Sequence, residues 1–215
     1  MAATINTDGF AERIEFAAKE IGIGLNSLQV NKLVDYVALL AKWNSTYNLT
    51  AVRDPQDMLE RHIIDSLSVV PFVDASPVLD VGTGPGLPGI PLAIIYENAS
   101  FTLLDSNVKK TRFLTQACIT LGLANVEILH QRIESLANKA FFPIVISRAF
   151  TAASNFADLC GPCLEENGKL LAMKGSEAEN EAKALDDQYK ISEIINLNVP
   201  GCEAQRHLII IEKNA

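Results

Sequence analysis

Nowhere in this chain do about 18 apolar residues run together, the length a membrane-spanning helix needs, so a helical membrane span is excluded and no membrane partner is expected. Cysteine is scarce. Cys118, Cys160, Cys163 and Cys202 do not make the disulfide framework of a small exported domain, and all four are expected as reduced thiols. The opening MAATINTDGFAERIEF lacks the basic start, apolar middle and small-residue cleavage site of a secretory signal, which makes the cytoplasm the expected location. Positive charge is in short supply: 18 Lys plus Arg against 26 Asp plus Glu leave a net charge of −8. That argues against indiscriminate binding to polyanions but leaves room for one local basic patch. Internal repeats, low-complexity tracts and a coiled-coil seam are also lacking, so a monomer is expected. At 215 residues the chain is long for one compact domain and short for two, which favours a single domain, 1–215, with an appendage.

What is present falls into two rhythms. Over the first 70 or so residues apolar side chains recur at helical spacing: Ile14, Ala17, Ala18 and Ile21, then Leu28, Leu33, Val37, Leu40 and Ala41 after the candidate caps Asn26 and Ser27. A third helix is expected from Asp54, with Pro55 in its first position, to Pro71. Between the second and third, WNSTYNLTAVRD reads as a loop closing over something. From residue 77 short apolar runs (VLDV, FTLLD, VEILH, IVISR, KLLAMK) alternate with helix-like stretches, among them PLAIIYEN, VKKTRFLTQACITLG, IESLANK and SEAENEAKAL. Strand then helix, repeated, implies right-handed crossovers and a parallel sheet covered on both faces. ISEIINLNVP and RHLIIIEK have no helix between them and are expected to pair antiparallel at a sheet edge. The reading is an α/β chain: an N-terminal helical extension, 1–72, on a Rossmann-like core, 73–215, with a mostly parallel seven-stranded sheet ending in an antiparallel hairpin.

VLDVGTGPGLPGIP, residues 78–91, is the turn from the first strand into the following helix, at the carboxyl edge where such sheets bind ligands. Its glycines let a ligand approach main chain. GPGLPG satisfies the dinucleotide pattern GxGxxG, and Asp105 ends the next strand near the distance of a ribose-binding carboxylate, so a nicotinamide or flavin enzyme is one reading. The same residues also read as an acidic residue, Asp80, followed by GxGxG over Gly82, Gly84 and Gly86, the arrangement that seats S-adenosylmethionine in class I methyltransferases. The C-terminal hairpin tips the choice that way. Backbone amides from Gly82 to Leu87 and the Asp80 carboxylate are expected at the amino-acid end of the cofactor. Asp105 is expected on the ribose hydroxyls, with Ile133 against the adenine and either a neighbouring backbone amide or the Glu134 carboxylate at its amino edge. None of these roles needs a metal.

Two other patterns invite chemistry and are set aside. CGPC at 160–163 is the thioredoxin tetrapeptide, but the stretch before it reads as a helix, so the dipole there has the wrong sign for a thiolate. His62, Asp65 and Ser66 lie too close together on one helix to converge as a hydrolytic triad and read as packing polars.

YNLTAVRD, RHIIDSL, LDVGTGPGLPGIPLAI, LLDSNVKKTRFL, NVEILHQRIE, ISRAF and AMKG, in that order over nearly the whole chain, resemble the RsmG (GidB) family. These are bacterial methyltransferases acting on N7 of one guanine in 16S ribosomal RNA of the small subunit. The resemblance implies S-adenosylmethionine contacts at Gly82, Leu87, Ile133, Glu134 and Arg148, and as partner the small subunit or an assembly intermediate of it. One departure is Pro143, standing after Phe142 where family members often carry Asp. A proline there suits the first position of a strand. N7 of guanine has a lone pair and no proton, so in-line attack on the sulfonium methyl requires alignment and dryness rather than a general base. Arg148 is expected to bridge cofactor and target, with Lys174 beside it. Lys109, Lys110 and Arg112, the densest basic cluster, are candidates for phosphate contact, on a surface that Arg53, Arg61 and His62 of the N-terminal extension are expected to enlarge. A non-catalytic RNA-binding protein that retains a cofactor pocket is the remaining alternative.

Overall fold

The computed structural model describes residues 5–74, 76–139, 141–176 and 185–214. Helices α1 (Phe10–Ile21) and α2 (Ser27–Tyr47) are the two expected amphipathic helices. A capping box opens α2: the Asn26 side chain accepts from the Gln29 N–H, and the Gln29 side chain accepts from the Asn26 N–H. The expected loop WNSTYNLTAVRD is shorter than its polarity suggests, because Trp43–Tyr47 is the last turn of α2. Asn44 turns inward there. Its buried amide accepts from the Thr50 N–H and donates to the Val52 carbonyl, folding the connection back onto the helix.

Asp54 caps the third helix as expected, accepting from the N–H groups of Gln56 and Asp57. The helix is not uniform. After α3 (Pro55–Met58) it widens into a π-helical stretch (Leu59–Ile64), resumes as α4 (Asp65–Leu67) and stops short of Pro71, which lies in a separate 3-10 turn (Val70–Phe72). Hydrogen bonds in the π stretch close one residue later than in an α-helix, a widening common at functional sites.

The core then runs β1 (Val78–Val81), α5 (Gly89–Ile95), β2 (Phe101–Asp105), α6 (Val108–Leu121), β3 (Val126–His130), β4 (Phe142–Arg148), α7 (Ala153–Cys160), β5 (Leu164–Lys174), β6 (Tyr189–Asn196) and β7 (His207–Lys213). The sheet order is β3-β2-β1-β4-β5-β7-β6. Strands β1 to β5 are mutually parallel, and β7 lies antiparallel between β5 and β6, so the hairpin is as expected with β6 as the edge. Two expected helices need comment. IESLANK forms only a 3-10 turn, Ile133–Ser135, and most of SEAENEAKAL, 177–184, lies outside the described residues. Pro143 is the second residue of β4 rather than the first, at the point where the register with β5 shifts between Phe142 and Ile144. Its missing N–H thus falls where the ladder is already interrupted.

Helices cover both faces. On one face Ile14, Leu33, Tyr36, Leu40 and Ile63 share a buried cluster with Val78, Phe101 and Phe113, so the N-terminal helices and the sheet enclose one core. On the other, Phe156, Cys160 and Leu164 pack with Leu79, Val145 and Ile209. Each large side chain buried in these clusters contributes about 1.5–3 kcal/mol. Among the described residues no helix is long and apolar enough to cross a membrane.

Candidate functional site

Beyond Val81 the chain cannot continue as strand, since Gly82, Gly84 and Gly86 all have positive φ, and it coils over the carboxyl ends of β1 and β2. The Thr83 N–H donates to the Leu104 carbonyl and the Gly84 N–H to Asp105 Oδ2 at 3.0 Å, tying the coil to the end of β2. From below it is held by Asp80, fully buried, whose Oδ2 accepts from Thr83 Oγ1 at 2.6 Å and from the Gly89 N–H at 2.8 Å. Asp80 Oδ1 has no partner, and burial raises this carboxyl to a pKa of about 6, outweighing the Thr83 and Gly89 hydrogen bonds. From the side, the Tyr36 hydroxyl on α2 donates to the Pro85 carbonyl at 2.7 Å. Burial holds that phenol well above its ordinary pKa, so it stays a donor.

Two cavities open on either side of this coil and share Gly82, Lys110 and Ala149. The smaller, about 310 Å³, is lined by Asp105, Ile133, Glu134 and Phe150 among others. The larger, about 390 Å³, includes Thr83, Gly84 and Leu87 on one wall and Arg61, His62, Asp65, Arg148, Lys174 and Arg206 around the rest. Ala149, a non-glycine residue at φ 53°, reverses the chain directly after β4. Arg148 therefore serves the larger cavity while Phe150 lines the smaller, its ring so close over Gly82 that a Cβ there would meet it at 2.7 Å.

The larger cavity is organised by Asp65, which is 4% exposed. Its Oδ2 accepts from Arg148 at 3.1 Å and its Oδ1 from Arg206 at 3.0 Å, so one carboxylate fixes two guanidinium groups. Arg148 also donates to the Arg61 carbonyl at 3.0 Å, a backbone group presented by the π stretch. His62 Nε2 lies 2.8 Å from Thr50 Oγ1, and burial, then the Arg148 charge, lowers its pKa to about 4, so the imidazole is neutral near pH 7. Lys174 at the end of β5 donates to the Thr151 carbonyl.

Of the residues expected at a ligand, Gly82, Gly84, Leu87, Asp105, Ile133, Glu134, Arg148 and Lys174 all line one cavity or both. Asp80 and Gly86 do not. Asp80 is enclosed beneath the coil, and a Cβ on Gly86 would meet Ile90 at 2.4 Å and Leu114 at 2.8 Å, so both shape the coil from behind rather than face a ligand. The basic cluster divides as well: Lys110 lines both cavities and pairs with Asp105 at 3.3 Å, whereas Lys109, Arg112 and also Arg53 are exposed and line neither. Cys160 and Cys163 are buried at the C-terminal end of α7 and beyond it, and burial pushes both thiols up, opposite to what a redox cysteine needs. Sequence reasoning missed three contributors: Asp65, taken for a packing polar; Arg206, hidden as the lead-in to an apolar strand; and Tyr36, one more apolar-face residue of α2. Asp65 meets its two cations only through residues far along the chain, and nothing in the spacing says which they are.

The family model described as "GidB: rRNA small subunit methyltransferase G" matches residues 29–209. The chain is 44% identical over 210 residues to a ribosomal RNA small subunit methyltransferase G of Pseudomonas aeruginosa, covering 97% of this chain and 98% of that one. To the protein of the same name from Hydrogenovibrio crunogenus it is 46% identical over 204 residues, 95% of this chain and 94% of the other. Among solved structures, TrmN from Thermus thermophilus superposes with a TM-score of 0.56 at 14% identity over 73% of this chain and 53% of that one, a likeness of fold alone.

Proposed function

The chain belongs to the GidB family, the rRNA small subunit methyltransferases G, and on that premise we propose that it transfers the methyl group of S-adenosylmethionine to N7 of a guanine in 16S ribosomal RNA. The observation that carries the reading is the pair of adjoining cavities that share Gly82, one suited to a nucleoside and the other lined by cations.

The smaller cavity fits the cofactor's nucleoside. Asp105 offers carboxylate oxygens at the lip, Ile133 an apolar face and Glu134 an acceptor for an exocyclic amino group. The Gly82 backbone borders both cavities, so a ligand reaching from one to the other passes main chain at a residue with no side chain of its own, beside the Phe150 ring. Bound there, S-adenosylmethionine supplies an electrophilic sulfonium methyl.

The residues of the larger cavity do the rest. Guanine presents O6 and N7 as acceptors, and Arg148, held by Asp65 and the Arg61 carbonyl, is a rigid donor for O6 that leaves N7 turned to the methyl. Lys174 and Arg206 meet the adjoining phosphates. No residue needs to take a proton, because N7 carries none, and the lining matches that requirement. Among the described lining residues the one carboxylate, Asp65, is engaged by two arginines, and His62 is tied to Thr50. Rate enhancement then comes from alignment and exclusion of water.

The test is transfer of labelled methyl to small subunits lacking this modification, followed by nuclease digestion and mass spectrometry. Label recovered as 7-methylguanosine is the expected result, and label on another position, or none, overturns the assignment. A nicotinamide-dependent oxidoreductase is disfavoured by the antiparallel β7, which the classic dinucleotide sheet lacks. Calorimetry showing NADH binding without S-adenosylmethionine binding reverses that choice.

A further inference from the structure

We infer that Lys110 is handed from Asp105 to RNA phosphate when the cofactor's ribose binds, so that cofactor occupancy completes the RNA site. The inference rests on the proposed cofactor and begins with a count of acceptor positions. A carboxylate has about four lone-pair sites. On Asp105 three are occupied: Oδ1 accepts from the Asn107 N–H at 2.8 Å, and Oδ2 accepts from the Gly84 N–H at 3.0 Å and from Lys110 Nζ at 3.3 Å. A ribose presents two adjacent hydroxyl donors, and bidentate capture needs one free site on each oxygen. Oδ1 has one. Oδ2 has none until a donor leaves.

Which donor leaves follows from the geometry. The two backbone amides are fixed by the coil after β1 and by the turn that opens α6, where Asn107 is itself the helix cap. Lys110 makes the longest of the three bonds, on a flexible stem with 31% of its side chain exposed, against 7% for Asp105. Its ammonium end keeps contact with water, so of the three donors it is the one most readily exchanged. The cofactor adds to the push: one carboxylate, one ammonium and one sulfonium give it a net positive charge, which disfavours an ammonium at its ribose.

Lys110 also has somewhere to go. It lines both cavities, and in the larger it stands with Arg148 and Lys174 across the coil. Turned that way it adds one cation to the phosphate-facing set. Single-stranded RNA loses affinity with salt at a log–log slope of about −0.7 per phosphate neutralised, so one added contact steepens the slope by about 0.7.

The experiment measures binding of a short fluorescein-labelled single-stranded RNA by anisotropy from 50 to 200 mM salt, with and without saturating S-adenosylhomocysteine, which cannot donate a methyl group. In the natural protein the ligand is expected to steepen the slope by about 0.7, so that its enhancement of RNA affinity shrinks about 2.6-fold across that range. Lys110→Gln is expected to show the same slope with and without ligand, and Lys110→Arg to restore the difference. Calorimetry on the same samples separates two failures. Ligand binding with an unchanged slope in the natural protein, or an equal steepening in Lys110→Gln, overturns the handover alone. Absence of ligand binding overturns the methyltransferase reading and the handover with it.

Discussion

His62 and Asp80 give the site two opposed dependences on pH that nearly cancel, and removing either one exposes the other. His62 is lowered from 6.5 to about 4, mainly by burial. The unfolded chain therefore binds the extra proton first, and the stability this group contributes is complete above 6.5 and lost as pH falls toward 4. At about 1.36 kcal/mol per pH unit, that lowering is worth about 3 kcal/mol. Asp80 runs the other way. Burial raises its carboxyl from 3.8 to about 6, so the folded chain takes the proton first, and its contribution is complete below 3.8 and lost as pH rises through about 6. The same conversion gives about 3 kcal/mol. Across the shared window the pair leaves the natural protein almost flat. Urea unfolding followed by circular dichroism at several pH values from about 4 to 7 reads the difference directly. Relative to the natural protein, His62→Gln is expected to gain about 3 kcal/mol as pH falls through the window, and Asp80→Asn to lose about as much. Every other titrating group is common to all three proteins and drops out of the comparison. Variant curves that run parallel to the natural one refute the reasoning.

Asp65→Asn leaves two guanidinium groups with a neutral partner in a mostly buried setting, and is expected to cost about 3 kcal/mol in urea unfolding and to abolish methyl transfer; a loss below about 0.5 kcal/mol, the range of ordinary surface changes, counts against its organising role. Gly82→Ala places a side chain at φ 65° and 2.7 Å from the Phe150 ring, so cofactor affinity measured by calorimetry is expected to fall at least tenfold, while Phe150→Ala in the same chain relieves the steric part but not the backbone part of about 1–2 kcal/mol. Asp105→Ala is expected to weaken cofactor binding and Lys174→Ala mainly RNA binding; equal losses of cofactor affinity in both would show the roles to be wrongly divided.

Most of the sheet was legible because its signals are local. The strands carry short apolar runs, the crossovers through α5, α6 and α7 carry a helical period, and the antiparallel end follows from the lack of a helix between ISEIINLNVP and RHLIIIEK. The glycine coil and Asp105 were legible for the same reason, since a strand-to-helix turn fixes where they lie. What escaped depends on contacts across the chain. The π stretch leaves little mark on apolar periodicity, yet it and the start of α4 present the Arg61 carbonyl and the buried His62 and Asp65 toward a strand more than 80 residues away. The place of Asp80 beneath the coil was not legible, because a strand-final acid reads equally as a ligand contact and as a loop anchor. Only its enclosure, with Thr83 and Gly89 on one oxygen, separates the two.

The net charge of −8 poses a harder question, since a polyanion must approach a chain that repels it overall. The resolution lies in distribution. Arg61, Lys110, Arg148, Lys174 and Arg206, five of the 18 Lys plus Arg, line one cavity, where Asp65 is the sole acid among the described lining residues. Screening confines surface charge to about 8–10 Å at ordinary salt, so a phosphate at the cavity mouth experiences the local cations more than the distant acids. A compact positive patch on an acidic body attracts a strand presented in one orientation and repels it elsewhere. The acidic remainder thereby disfavours unproductive RNA binding without weakening the site, and reversing the sign of acids far from the cavity is expected to raise nonspecific RNA affinity more than the rate of methyl transfer.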